Sequence, residues 1–148
     1  WPAKNSFHAE PALLVERSAV PFFGFRGFGS FVNGLVGSDR VWVAKRSKTK
    51  ATYPGLLDVM VAGGLAHGEL PSENLLKECE EEASIPVELA RNAAAGGFVS
   101  YTGIEETGWG LKPDTLFVYD LDLPHDFRPV PQDGEVEDFE LMHVRDVI

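Results

Sequence analysis

From Gly63 to Ile85 the chain runs Gly-Gly-Leu-Ala-His-Gly-Glu-Leu-Pro-Ser-Glu-Asn-Leu-Leu-Lys-Glu-Cys-Glu-Glu-Glu-Ala-Ser-Ile. Glycines suited to a tight turn lead into a helix crowded with carboxylates. At about 100° per residue, Glu78, Glu81 and Glu82 share one face, as spacings of three and four require. Ser72, Leu76, Cys79 and Ala83 gather on a second face fit for a core, and Glu73, Lys77 and Glu80 point to water. Carboxylates stacked on one stripe repel and weaken the helix. A hard divalent cation with oxygen ligands removes that repulsion; Mg²⁺ suits such a site best, with Mn²⁺ as a substitute. The stripe reads as a metal site, against the plain alternative of a solvated acidic helix.

The rest of the chain sets limits on what that site serves. A length of 148 residues suits one domain, with 1–21 an irregular approach segment. Hydrophobic residues at 44% and charged ones at 24% are ordinary for a globular protein. The net charge of −10 argues against nucleic-acid binding, which needs a basic surface. A single cysteine fits a reducing compartment, and no apolar run reaches the roughly 20 residues of a membrane span. The expectation is a cytoplasmic protein with no membrane partner, as monomer or homodimer. It begins at Trp1 without methionine, as a piece of a longer protein would.

Taken in order, Pro21-Phe22-Phe23-Gly24-Phe25 and Gly27-Phe28-Gly29 form an aromatic, glycine-rich approach expected to cover an edge of the core. Ser30–Val36 and Arg40–Arg46 read as a hairpin around Gly37-Ser38-Asp39. Lys45, Arg46, Lys48 and Lys50 make the basic cluster of an acidic chain, either a solvated loop or a grip on phosphate oxygens. Leu56–Ala62 reads as one strand feeding the glycine turn. Either Pro71 opens the helix or Ser72 caps it, and Pro86 ends it. Val87–Ala94 suits a short helical turn, Gly97–Tyr101 a strand, residues 102–113 a loop carrying Trp109, and Thr115–Leu121 another strand. Gly134–Met142 is the last strand, expected to hold Glu135, Glu137 and Glu140 on one side. The fold class is α+β, a mixed sheet with the acidic helix packed on it.

The acidic segment resembles the Nudix box: Gly, five residues, Glu, seven residues, Arg-Glu, an aliphatic, one residue, Glu-Glu, one residue, Gly, an aliphatic. The matching positions are Gly63, Glu69, Lys77, Glu78, Cys79, Glu81, Glu82, Ser84 and Ile85. Lys77 stands for arginine, Ser84 for glycine and Cys79 for the aliphatic. Ala19-Val-Pro-Phe-Phe-Gly, Thr52-Tyr-Pro-Gly, Leu57-Asp58, Met60-Val-Ala-Gly-Gly, Thr115-Leu-Phe-Val-Tyr-Asp-Leu and Asp133-Gly-Glu-Val-Glu resemble the thiamine pyrophosphokinase-related branch of that superfamily. The resemblance implies hydrolysis of thiamine diphosphate or its oxidised analogues to the monophosphate and phosphate. It also implies a longer chain at both ends, with a helix opening at His143 or Val144.

On this reading Glu78, Glu81 and Glu82 supply metal ligands, together with a backbone carbonyl near Gly63 or Gly64. Bound metal neutralises a diphosphate and lowers the pKa of its water. Glu135, with Glu137 in reserve, adds a ligand or accepts a proton; a two-residue step keeps both on one face. Lys77 pairs with Glu69 in the family pattern, although a lysine does so without fixing the angle, and Glu73 or Glu81 can compete for it. Arg46 and Lys48 are the candidates for phosphate, Trp109 and Tyr101, besides Phe98, for an aromatic ring, and His67 is more often a bystander. The alternatives are a hydrolase of a nucleotide or another diphosphate, an isomerase like isopentenyl diphosphate isomerase, or a non-catalytic binding module. The isomerase would need a reactive cysteine in a loop, whereas Cys79 falls on the core face.

Overall fold

The expected hairpin forms as Gly27–Val36 (β3) and Arg40–Arg46 (β4), antiparallel, in the computed structural model, which describes residues 1–104 and 108–147. Phe28, Ser30, Val32, Gly34 and Val36 are all buried, the period of two that a strand shows when one face lies on a core. Ahead of the hairpin come Pro2–Ala3 (β1), Leu13–Leu14 (β2) and Ala19–Phe23 (α1). After it come Leu57–Val59 (β5), Val61–Gly64 (β6), Pro71–Ala83 (α2), Val87–Ala90 (α3), Ala94–Ile104 (β7), Leu111–Asp122 (β8), Val136–His143 (β9) and Val144–Val147 (α4). A mixed sheet of seven strands runs β5-β4-β3-β8-β7, with β6 also on β3 and β9 also on β4; β3 and β8 are parallel.

One fork in this sheet makes room for the site. β4 pairs with β3 only at Arg40–Trp42, then turns away to pair with β5 through Val43–Lys45. The vacated edge of β3 is taken by β6, with Gly29 opposite Gly64 and Val32 opposite Val61. The stretch expected as a single strand over Leu56–Ala62 is therefore two, broken at fully buried Met60. Gly34 makes the crossing possible, since a Cβ there would lie 2.1 Å from the Met60 sulfur. Around Met60 the core gathers Val32, Trp42, Val61, Leu75, Cys79 and Leu121.

The helix α2 opens on Pro71, whose missing N–H costs nothing at a first position, so Ser72 is not its cap. Leu75, Cys79 and Ala83 form its core face, whereas Ser72, expected there, is exposed. The helix closes on Ser84 in the left-handed region, with Ser84 N–H donating to Glu80 O and Ile85 N–H to Cys79 O.

Two expectations about the N-terminal part need correction. Residues 1–21 are not irregular throughout: β1 pairs with β2, and Phe7 packs edge-on against Phe28 and Phe117. Phe22 and Phe23 do not cover the core edge; on α1 they meet edge-to-face, 67% and 61% exposed. A helix of five residues leaning on β8 has too few faces to bury both. Glu135, Glu137 and Glu140 do not share a side either. Val136 pairs with Arg46 and Asp138 with Lys45, which leaves Glu137 as the extra residue of a bulge. The bulge resets the alternation, so that Val136 and Phe139 are both buried. Residues 105–107 of the expected 102–113 loop lie outside the described residues, while strands occupy its two ends.

Candidate active site

Burial divides the three carboxylates of the stripe. Glu82 is 6% exposed, the Glu78 side chain 15% and that of Glu81 54%. Glu82 lies over β6 and accepts the Ala62 N–H at 2.9 Å. Burial, opposed by that hydrogen bond and reinforced by Glu78, Asp133 and Glu135, pushes its pKa up to about 8. Glu78 is also raised, chiefly by burial. Its stem rests on Gly63, where a Cβ would come within 2.2 Å of Glu78 Cγ. The first glycine of the pattern is thus required by the helix packed over it. Asn74, one turn earlier and 1% exposed, donates to Glu78 Oε1 at 3.1 Å and to Gly64 O at 3.3 Å.

Oxygens of Glu82, Asp133 and Glu135 lie within 4.8 Å of one another. Two of these come from the loop before β9, and the helix end itself holds that loop. Ser84 Oγ donates to Val130 O at 2.7 Å and accepts from Gln132 Nε2 at 2.7 Å, while Val130 N–H donates to Ala83 O. The side chain that replaces glycine in the pattern therefore staples the loop to α2. Next along, Glu135 N–H donates to Asp133 Oδ1 at 2.8 Å, Ser47 N–H donates to Glu135 O, and Lys50 Nζ reaches Glu135 Oε2. Glu135 is thereby separated from Glu137, which meets Lys45 and Lys48 at 3.7 and 3.8 Å.

The donor set fits a hard cation. Close carboxylate oxygens, one of them buried, repel until a positive ion or a proton intervenes, and oxygen-only ligands suit Mg²⁺ or Mn²⁺. A cavity of about 20 Å³ adjoins them, between Arg46, Lys50, Asp58, Ala62, Glu82 and Glu135.

Lys77 does not pair with Glu69. Its Nζ stands 3.5 Å from Glu78 and 3.8 Å from Glu81, and the Glu78 charge above all raises its pKa. Glu69 instead closes its own turn by accepting the Ala66 N–H at 2.8 Å. Of the basic cluster, Arg46 is spent on structure: it donates to Asp58 at 2.8 Å and to the carbonyls of Thr52 and Tyr53. The Thr52-Tyr-Pro-Gly and Leu57-Asp58 segments are the two sides of that clamp. Lys48 is 77% exposed beside Glu137. Tyr101 lies on the sheet edge with its hydroxyl donating to Asp114 at 3.4 Å, Trp109 is 80% exposed on the β7–β8 connection, and His67 is exposed. Cys79 is fully buried with its pKa pushed up to about 12, unfit as a reactive thiol.

Asp133, Asn74 and the Ser84 staple escape a reading by spacing. Asn74 does stand four residues before Glu78, one helical turn away, and Asp133 two before Glu135, but neither spacing is distinctive.

Residues 26–148 match the family described as NUDIX domain. The chain is 50% identical over 150 residues to Nudix hydrolase 20, chloroplastic, of Arabidopsis thaliana, covering 99% of this chain and 40% of that protein. Nudix hydrolase 24, chloroplastic, of the same plant is likewise 50% identical, and the chain spans about two-fifths of either relative. Among solved structures, the MutT protein from Methanosarcina mazei Go1 superposes with a TM-score of 0.65 at 16% identity, covering 82% of this chain and 80% of that one. The NUDIX domain of Shewanella oneidensis NrtR complexed with ADP ribose gives 0.64 at 14% identity, covering 90% and 80%. At such identities the likeness concerns the fold, the mixed sheet packed with helices.

Proposed function

Because this chain belongs to the Nudix family, we propose that it is a divalent-metal-dependent hydrolase of a diphosphate linkage. The observation that carries this reading is the approach of Glu82, Asp133 and Glu135 to within 4.8 Å, beside half-buried Glu78. Glu78, Glu81 and Glu82 would hold the ion together with a carbonyl near Gly63 and with Asp133, which leaves Glu135 beside it. Mg²⁺ or Mn²⁺, when bound, neutralises the diphosphate and lowers the pKa of a coordinated water. Glu135, half exposed and held by Lys50, is the group we assign to accept that water's proton. Lys77 balances Glu78 and Glu81, and Lys50, which lines the cavity beside Glu82 and Glu135, is the cation for phosphate oxygens, with Lys48 in reserve on the same loop. Arg46 holds the loop over Asp58 in place. Glu69 shapes the turn before α2.

Within that class we assign a diphosphate on an aromatic heterocycle, thiamine diphosphate or an oxidised relative. The support is the resemblance of the 19–24, 52–55 and 133–137 segments to the thiamine-related branch, with exposed Trp109 as the ring to stack on the heterocycle. A reducing compartment is supported by the single, buried cysteine; the word chloroplastic in the plant relatives' names is compatible with one. No helix among the described residues is long and apolar enough to cross a membrane.

The test is phosphate and monophosphate release from a panel: thiamine diphosphate, its oxidised analogue, ADP-ribose, a dinucleoside polyphosphate and a nucleoside triphosphate. Specificity constants should be highest for the thiamine compounds and vanish in excess chelator. Turnover undiminished by chelator would refute the metal-dependent reading, and a preference for a nucleotide would refute the substrate. Glu135→Gln should lose at least tenfold in kcat, as expected of a general base, with Glu137→Gln near the parent.

A further inference from the structure

The carboxylate of Glu78 is gripped from one side. Its stem lies against Gly63, and both donors it meets fall on Oε1: Asn74 Nδ2 at 3.1 Å and Lys77 Nζ at 3.5 Å. Oε2 meets no donor among the described residues. The two donors are unequal. Lys77 is half exposed on a flexible stem, whereas Asn74 is 1% exposed and locked by a second donation, to Gly64 O at 3.3 Å. Both partners of Asn74 are acceptors, so its amide nitrogen has to face them, and its Oδ1 is left buried without a donor. Turning the amide over would set Oδ1 against two oxygens. A buried acceptor with no partner lowers stability. The fold gains little from such a side chain, and the residue it holds belongs to the site.

We infer that Asn74 is a positioning residue, which makes Glu78 a one-oxygen ligand presented through Oε2 and so sets a preference for Mg²⁺ over Ca²⁺. The inference rests on the metal-dependent reading above and goes beyond it in naming what selects the ion. With the stem fixed at Gly63 and Oε1 fixed by Asn74, the carboxylate can offer both oxygens to one cation only by breaking a buried hydrogen bond. Mg²⁺ demands a small, near-octahedral shell, to which a carboxylate gives one oxygen. Ca²⁺ accepts a larger, looser shell and commonly takes a carboxylate by both oxygens. A donor that holds Oε1 aside therefore favours the smaller ion. Asn74 does this from outside the shell, where partners of ligating carboxylates tune a metal site without touching it. It stands one helical turn before Glu78, so α2 carries the ligand and its guide together.

Calorimetric titration of the metal-free protein with Mg²⁺ and, separately, with Ca²⁺ tests this, because binding is read without turnover. The parent should favour Mg²⁺. Asn74→Ala should bind Mg²⁺ at least about tenfold more weakly, as loss of an outer-shell partner does, while Ca²⁺ binding holds or tightens. The ratio of the two affinities then falls by about tenfold or more. Asn74→Leu fills the space and likewise donates nothing, so it should show the same fall and keeps the test open where the alanine variant folds poorly. A second tie, Ser30 Oγ donating to Pro71 O at 3.2 Å from a side chain 1% exposed, also fastens α2 to the sheet. Ser30→Ala breaks it without touching Glu78, so it should lower Tm and leave the ratio as in the parent. A parent without preference for Mg²⁺, an unchanged ratio in both Asn74 variants, or an equal fall in Ser30→Ala would overturn the inference while leaving the metal site standing. A parent that binds neither ion would overturn the metal-dependent reading and this inference with it.

Discussion

Removing the divalent metal at different pH values should expose the cost of burying Glu82. Its carboxyl is 6% exposed, and its pKa is pushed from 4.5 up to about 8, first by burial. Over that interval the folded chain keeps a proton that the unfolded chain has released. Stability of the metal-free protein therefore falls as pH rises from about 4.5 toward 8. At about 1.36 kcal/mol per pH unit, the interval from 4.5 to about 8 sets a ceiling of about 5 kcal/mol. For a chain of this length a change of 1 kcal/mol moves Tm by about 2–4 °C, so the ceiling on the fall is roughly 10–20 °C. A divalent ion binds the deprotonated form, so Mg²⁺ should raise Tm strongly at pH 8 and little at pH 5. Thermal unfolding in chelator and in Mg²⁺, for the parent and for Glu82→Gln, is the assay. The substitution removes this titration while leaving an oxygen to accept the Ala62 N–H. Subtracting its profile from the parent's also cancels the general repulsion of an acidic chain. If parent and variant lose Tm in parallel between pH 5 and 8, burial of Glu82 is not what the pH dependence reports.

Lys77→Ala should cost at least tenfold in turnover but no more than about 1 kcal/mol in stability, because the Lys77 side chain is itself half exposed; a large fall in Tm with normal kcat would reverse that reading. Lys77→Arg should turn over as fast as the parent or faster. For Ser84, glycine would relieve a left-handed backbone at φ 55° while losing the bonds to Val130 and Gln132. Strain of roughly 1–2 kcal/mol and two hydrogen bonds of about 1 kcal/mol each nearly cancel. Urea unfolding of Ser84→Gly should therefore stay within about 1 kcal/mol of the parent, and Ser84→Ala should be about 1–2 kcal/mol less stable. Both should lose activity as the loop carrying Asp133 and Glu135 loosens, and full activity in either would remove the staple from the account.

The acidic helix, its C-terminal end and the stripe it carries were legible in the sequence alone, because they depend on residues three and four apart and on the backbone limits of Gly63 and Pro86; whether Pro71 opens the helix or Ser72 caps it was decided only by the structure. The β3–β4 hairpin and the strand at Thr115–Leu121 were legible for the same reason: a period of two needs only near neighbours. Which of Glu135 and Glu137 belongs to the site was not legible, since a bulge against Lys45 and Arg46 and a lysine 85 residues away decide it. Arg46 read as a cation available to phosphate until folding set Asp58 and two carbonyls around it, which no count along the chain reveals. Phe22, Phe23 and Phe98 show the same limit from the other side. Hydrophobicity says that a side chain gains by leaving water, but only the placing of α1 against β8, and of β7 at the open edge, decides whether anything is there to receive it.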